Sequence, residues 1–170
     1  VSAMGRADEP YATDTLITLV KRDNLNPSRR ELDMLMSCGE IISGVILTNK
    51  LQSHGEQAVF LNGWQAGIKT NSNHGDARIV AIDTRLIKKY LAEDYVVVVA
   101  GFQGISEDGE ITTLGRGGSD VTASALGVAL GADVIDIYTD VEGIMTADPR
   151  IVKNARLLDA VTYNEICQLA

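Results

Sequence analysis

The sequence holds only two cysteines, Cys38 and Cys167, in 170 residues. They form no Cys-x-x-Cys pair and no disulfide framework, so free thiols in a reducing, cytoplasmic setting are expected. No apolar run reaches the roughly 18 residues that a membrane span requires, so no membrane partner is expected. Basic residues are outnumbered, 15 against 23 acidic ones, for a net charge of −8. A nucleic-acid ligand would want a basic surface, and Arg85, Lys88 and Lys89 read as one solvated helix face. His54 and His74 lie in unrelated contexts without metal-ligand spacing, so no resident metal site is expected and each reads as a surface or turn residue. There is no Gly-x-Ser-x-Gly elbow and no Gly-Lys-Ser/Thr of a Walker A loop. Repeats and low-complexity tracts are missing as well.

What is present is ordinary for a globular chain: 45% hydrophobic and 22% charged residues, enough for one domain with a buried core. Leu16, Ile17 and Val20 have helical spacing over residues 13–21, with Thr13 or Asp14 as the cap. Ser28 starts a long helical stretch with Leu32, Leu35 and Met36 on one stripe. That stretch is interrupted at Ser37-Cys38-Gly39-Glu40 and resumes over residues 41–53. Residues 58–61 and 77–82 read as strands, with turns over residues 62–76, including the loop 71–75. Asp83 caps a helix through Leu86, Ile87 and Tyr90. The β-branched run 95–100 reads as a strand buried on both faces. Asp108-Gly109 predicts a two-residue hairpin turn, and residues 134–138 read as a further buried strand. This alternation implies an α/β fold, a three-layer αβα sandwich around a largely parallel sheet, with ligands beyond the carboxyl ends of strands. Residues 1–5 read as the tail of a strand and residues 162–165 as a capping box opening a helix, so the segment is expected to be internal to a longer polypeptide.

Two stretches carry chemistry. Leu114-Gly115-Arg116-Gly117-Gly118-Ser119-Asp120 leads into a helix over residues 121–130, capped by Ser119 or Asp120 and ended by Gly131. A glycine bend entering a helix offers backbone N–H groups at the positive end of the dipole, which suits an anion. Arg116 adds a fork of donors for a carboxylate or phosphate. The bend is not the dinucleotide fingerprint, because Asp120 stands where a third glycine belongs. The second stretch, residues 139–150, combines Thr139-Asp140, Gly143, and Arg150 behind a proline. Those are polar groups for a base and ribose with a cation near phosphates. Glu40, beside the helix-weakening Gly39, offers a carboxylate for an ammonium group.

Together with Ser2-Ala3-Met4-Gly5, Glu31-Leu32-Asp33-Met34-Leu35, Gly63-Trp64-Gln65-Ala66-Gly67 and Gly101-Phe102-Gln103-Gly104, these motifs resemble the aspartokinases of the amino acid kinase family. The resemblance implies MgATP-dependent phosphorylation of the side-chain carboxylate of L-aspartate, with ATP and Mg2+ as cofactors. Glu40 would then hold the substrate ammonium and Arg116 its α-carboxylate. Gly117, Gly118 and Ser119 would cradle the reacting groups, and Asp120 would organise the cations around them. Thr139, Asp140, Met145, Asp148 and Arg150 would serve the nucleotide, Met145 packing on the base and Arg150 lying near the phosphates. Ser2 and Thr13 would add a phosphate-side and a substrate-side contact. Such chemistry needs positioning and charge stabilisation rather than a covalent nucleophile or strong base.

The family's Lys-Phe-Gly-Gly strand would lie upstream of Val1, a second lysine downstream, and regulatory ACT domains beyond. The parent is expected to be a homo-oligomer. Loss of a charge-stabilising donor costs ~10²–10³ in rate, so the 170-residue chain alone is expected to be nearly inactive. Met145 stands where an aromatic is common, and Cys38 where a Thr or His is. The rival readings are a sister acid kinase such as glutamate 5-kinase, and a fragment that binds nucleotide without catalysis.

Overall fold

The computed structural model describes residues 1–5, 9–138, 143–147 and 151–162, and divides the chain into two compact units, residues 1–135 and 136–170. In the first unit, α1 (Thr13–Lys21) starts behind Ala12 with no side-chain cap, so neither Thr13 nor Asp14 plays that part. Next, α2 (Arg29–Ser53) runs unbroken for 25 residues. The expected interruption at residues 37–40 is thereby corrected. Gly39 provides room rather than a break: a Cβ there would stand 2.9 Å from the Cβ of Ala3. The helix accepts the ~1 kcal/mol penalty of an interior glycine for that close approach.

The side of α2 that is buried is also not the apolar one. Asp33, Ser37, Glu40, Gly44 and Thr48 are buried at helical spacing. Leu32, Leu35 and Met36 are only half-buried, and Val45, Ile46 and Leu47 are exposed. Two sheets lie beyond α2. In the first, β1 (Ala58–Leu61) pairs parallel with β4 (Val96–Val99), and α3 (Arg85–Ala92) precedes β4 in the connection between them. The second has the order β3-β2-β5-β6, made of β2 (Ile68–Thr70), β3 (Ile79–Ile82), β5 (Gln103–Ser106) and β6 (Ile111–Thr113). Here β2 and β5 are parallel, while the two outer pairings are antiparallel. The α/β class therefore holds, with parallel pairing at β1/β4 and β2/β5. Strand β2 lies inside the stretch read as turns.

Leu61, Ala66, Ile68 and Ile87 form the centre of the core, with Leu86, Val97 and Leu126 packed against it. Burying a side chain as large as Leu or Ile contributes about 1.5–3 kcal/mol. The Gly63-Trp64-Gln65-Ala66-Gly67 turn brings Ala66 into this core, and its glycines permit backbone contact. A Cβ on Gly63 would meet the carbonyl oxygen of Gln103 at 2.3 Å, and one on Gly67 that of Asp83 at 2.2 Å. Asp83 stands just outside α3, whose N-cap is Thr84, and its Oδ1 accepts the Arg85 N–H at 3.2 Å.

Three further expectations change. Among the described strands β4 pairs only with β1, and Val96 is exposed, so this strand is not buried on both faces. A mainly apolar cavity of about 470 Å³ lies against β4, lined by Val1, Leu47, Leu91 and Leu126 among others. The hairpin between β5 and β6 closes through a three-residue loop, because Ser106 still pairs with Glu110 and Gly109 (φ 80°) takes the left-handed position. Residues 134–138 form no strand, and Tyr138 is 94% exposed. A β-branched run becomes a strand only where a neighbour takes its hydrogen bonds, and none of the described strands pairs with it. Ile135 instead packs over Gly127, where a Cβ would come within 2.3 Å of its Cδ1.

In the second unit Met145 forms an antiparallel bridge with Leu157. The Leu158 N–H donates to Ile144 and the Thr146 N–H to Arg156, both at 2.9 Å. The helix start expected at residues 162–165 falls, from residue 163 onward, outside the described residues. Among the described residues no helix is long and apolar enough to cross a membrane.

Candidate active site

The strap Val1-Ser2-Ala3 touches the middle of α2 at one end and Gly101 at the other, and Gly101 abuts the first turn of α4 (Gly118–Leu130), which follows the bend after β6. The Val1 amino group donates to the carbonyl of Val99 at 2.7 Å, and the Val1 carbonyl accepts the Gly101 N–H at 2.9 Å. Gly101 abuts α4, since a Cβ there would stand 3.1 Å from both Cα and Oγ of Ser119. At the other end of the strap, the Ala3 N–H donates to Glu40 Oε1 at 3.1 Å. Ser2 lies exposed between these two contacts.

Glu40 is 3% exposed, and its Oε2 is buried without a hydrogen-bond partner. Burial pushes its carboxyl up from the ordinary 4.5 to about 7; the backbone N–H groups of Glu40 and Ala3, then the nearby amino terminus, pull the other way. Its Oε2 is left without a donor among the described residues. An ammonium at Oε2 would satisfy the orphaned oxygen and restore the ionised form.

The bend supplies the complementary charge. Gly115 (φ 78°) and Gly117 (φ 69°) are both left-handed, and Gly117 is the α4 N-cap. No side chain caps α4, so Ser119 and Asp120 are residues of its first turn rather than caps. The N–H groups of an uncapped first turn suit an anion. Phe102, itself at φ 66°, holds this end in place. Its N–H donates to Thr122 Oγ1 at 3.0 Å, its carbonyl accepts the Leu114 N–H at 2.9 Å, and its ring leaves no room for a Cβ on Gly118. Positive φ on a bulky residue costs ~1–3 kcal/mol, and such strain collects at functional sites.

The model of the amino acid kinase family matches residues 2–170. The chain belongs to the amino acid kinase family. It is 54% identical over its whole length to aspartokinase 1 of Bacillus subtilis, and 49% identical to the aspartokinase of Mycobacterium tuberculosis. It spans 42% and 39% of those relatives' lengths. Among solved structures, aspartokinase III of E. coli in complex with aspartate and ADP superposes with a TM-score of 0.77 at 34% identity, over 92% of this chain and 36% of that one. The aspartate kinase from Synechocystis superposes with a TM-score of 0.76 at 44% identity, over 99% of this chain and 27% of that one.

Within this amino acid kinase segment, Glu40 touches the strap through Ala3, and Ser119 lies against Gly101, which the strap also reaches through Val1. Ser2 is in the strap itself and exposed, and Gly118 packs against Phe102 and Leu114. Arg116, Gly117 and Asp120 lie on the exposed side of the same bend. Thr13 is half-buried as the first residue of α1, two residues after Tyr11, whose carbonyl lies against Gly39. Met145 sits in the second unit, bridged to Leu157. Thr139, Asp140, Asp148 and Arg150 lie outside the described residues. Sequence reasoning missed the buried polar groups beneath the site. Gln103 is fully buried and its Nε2 donates to the Ser37 carbonyl at 2.9 Å. Asp33 is fully buried and accepts from Thr113 Oγ1 at 2.6 Å. The signal was the polar stripe itself, since Asp33, Ser37 and Glu40 repeat at helical spacing.

Proposed function

We propose that the complete polypeptide containing this segment phosphorylates the side-chain carboxylate of L-aspartate with MgATP, giving 4-phospho-L-aspartate. The observation that carries the reading is Glu40, a buried carboxylate with one orphaned oxygen, held by a strap whose other end bonds Gly101, the residue that abuts the first turn of α4. Identity of about half to aspartokinases supports it, as does the likeness to an aspartokinase solved with aspartate and ADP.

In this reading Glu40 Oε2 receives the substrate ammonium and Arg116 its α-carboxylate. These two contacts fix the amino-acid end and leave the side-chain carboxylate free to face the phosphoryl donor. Gly117, Gly118 and Ser119 cradle the reacting groups at the start of α4, where the Gly118 N–H is taken by the Gly115 carbonyl at 3.1 Å. Asp120 orders the surrounding cations. Thr139, Asp140, Met145, Asp148 and Arg150 serve the nucleotide, Ser2 its phosphates, and Thr13 the substrate side. The acceptor is ionised at neutral pH, so these residues need only align and shield it. Mg2+ supplies charge neutralisation on the phosphates. Among the described residues no His, Cys, Asp or Glu cluster could hold an ion by itself. Mg2+ in phosphoryl transfer is held largely by the phosphates themselves, with one or two carboxylates.

The same proposal places the enzyme in the cytoplasm, as a homo-oligomer, at the first step towards diaminopimelate, lysine, threonine and methionine. It also puts a Lys-Phe-Gly-Gly strand upstream of Val1, and ACT regulatory domains downstream. ADP release by the complete polypeptide, assayed with aspartate and with glutamate, tests the reading. Turnover with aspartate is expected; preference for glutamate would indicate the sister kinase. ATP binding by calorimetry without turnover on either would leave only a nucleotide-binding protein.

A further inference from the structure

Asp33 lies two helical turns before Glu40, on the same face of α2, because seven residues nearly complete two turns. It is fully buried, and its carboxylate oxygens meet three donors or donor-capable atoms from two other parts of the chain. Oδ1 accepts from Thr113 Oγ1 at 2.6 Å. Oδ2 lies 2.7 Å from His74 Nδ1 and accepts the Gly75 N–H at 3.1 Å. Thr113 is the last residue of β6, directly before the Leu114-Gly115-Arg116 bend. The loop holding His74 and Gly75 underlies that same bend: a Cβ on Gly115 would stand 3.1 Å from Asp76 Oδ1 and 3.5 Å from the Gly75 carbonyl. The two supports are also tied to each other, since the Ala77 N–H donates to the Thr113 carbonyl at 2.9 Å.

We infer that Asp33 is a positioning residue: by holding Thr113 and residues 74–75 against α2, it sets where the Arg116 bend stands relative to Glu40. The inference rests on the aspartate kinase reading for its consequence, but its geometry is independent of that reading. Helix α2 then carries both the group proposed for the substrate ammonium and the anchor for the group proposed for the α-carboxylate. A fully buried carboxylate is costly to keep unless its oxygens are satisfied. Here the satisfying groups all come from the floor of the bend, and none from α2 itself.

The test uses the complete polypeptide with Asp33→Asn, Thr113→Val and Thr113→Ser. Removing a hydrogen bond to a charged group is worth about tenfold or more, so Asp33→Asn and Thr113→Val should raise the aspartate KM by about that factor. The ATP KM should stay within about twofold of wild type. Thr113→Ser restores the hydroxyl and should return the aspartate KM towards wild type, which mere loss of packing would not allow. Hydrogen exchange supplies a readout without turnover: amides of residues 115–118 should exchange faster in Asp33→Asn and Thr113→Val, and not in Thr113→Ser. If Asp33→Asn does not fold, the isosteric Thr113→Val against Thr113→Ser decides. Folded variants with unchanged aspartate KM in an active enzyme overturn the inference. A wild type inactive on aspartate defeats the functional reading instead, and unchanged exchange at residues 115–118 then overturns this one separately.

Discussion

Glu40 should make aspartate binding depend on pH in the neutral range, where few carboxylates titrate. Its carboxyl stands at about 7 before substrate arrives, raised by burial, and only the ionised form can receive an ammonium. Aspartate keeps both carboxylates ionised and its amino group charged below pH 7, so the substrate adds no titration there. From pH 7 downward the aspartate KM should therefore rise, approaching tenfold per pH unit, and binding should release close to one proton at pH 6. The matching effect on folding has a definite sign. Because the folded carboxyl is raised, the stability it contributes is complete below 4.5, the unfolded value, and is lost as pH climbs through about 7. The difference is on the order of 3 kcal/mol for this site. Calorimetry of aspartate binding to the complete polypeptide in two buffers of different ionisation heat would count the proton, and initial rates from pH 5.5 to 8 would follow the KM. Glu40→Gln should weaken aspartate binding by about 10–100-fold, the scale of a lost charge-assisted bond, and flatten the profile. A wild-type KM that is level from pH 6 to 8, with no proton released, would refute the reasoning.

Arg116→Ala in the complete polypeptide should raise the aspartate KM by about 10–100-fold while leaving the ATP KM nearly unchanged, as loss of a charged hydrogen-bond donor predicts; an unchanged aspartate KM would remove Arg116 from the substrate site. Gly63→Ala drives a methyl against the Gln103 carbonyl, and thermal unfolding should report about 1–3 kcal/mol of lost stability. Phosphate-release or ADP-release assays on the 170-residue chain alone should show at least ~10²-fold less activity than the complete polypeptide, if an upstream lysine completes the site.

The sequence made the short, strongly patterned elements legible. Helix α1, strand β1 and the end of α4 at Gly131 came out where periodicity and glycine put them. What misled was glycine chemistry judged by local propensity. Gly39 reads as a break, yet it lets Ala3 lie against a continuous helix. Local patterning also inverted α2, whose polar stripe turns inward because Asp33 and Glu40 find partners far away in the chain, on β6 and on the strap. No pairwise contact of that kind is written in a single sequence. Strand β2, only three residues long, leaves too little alternation to separate it from the turns on either side. The run 134–138 failed for the opposite reason: its composition is that of a strand, but pairing depends on a neighbour. At the site, the glycine bend and Glu40 were legible as residue types, while the strap contact to Glu40 was not.

Hydroxylamine trapping tests the central claim most directly, because an acyl phosphate formed on a side-chain carboxylate is captured as its hydroxamate. With the complete polypeptide, MgATP and aspartate, aspartate β-hydroxamate should accumulate in step with ADP. ADP release without the hydroxamate, or hydroxamate formed from glutamate in preference to aspartate, would contradict the account.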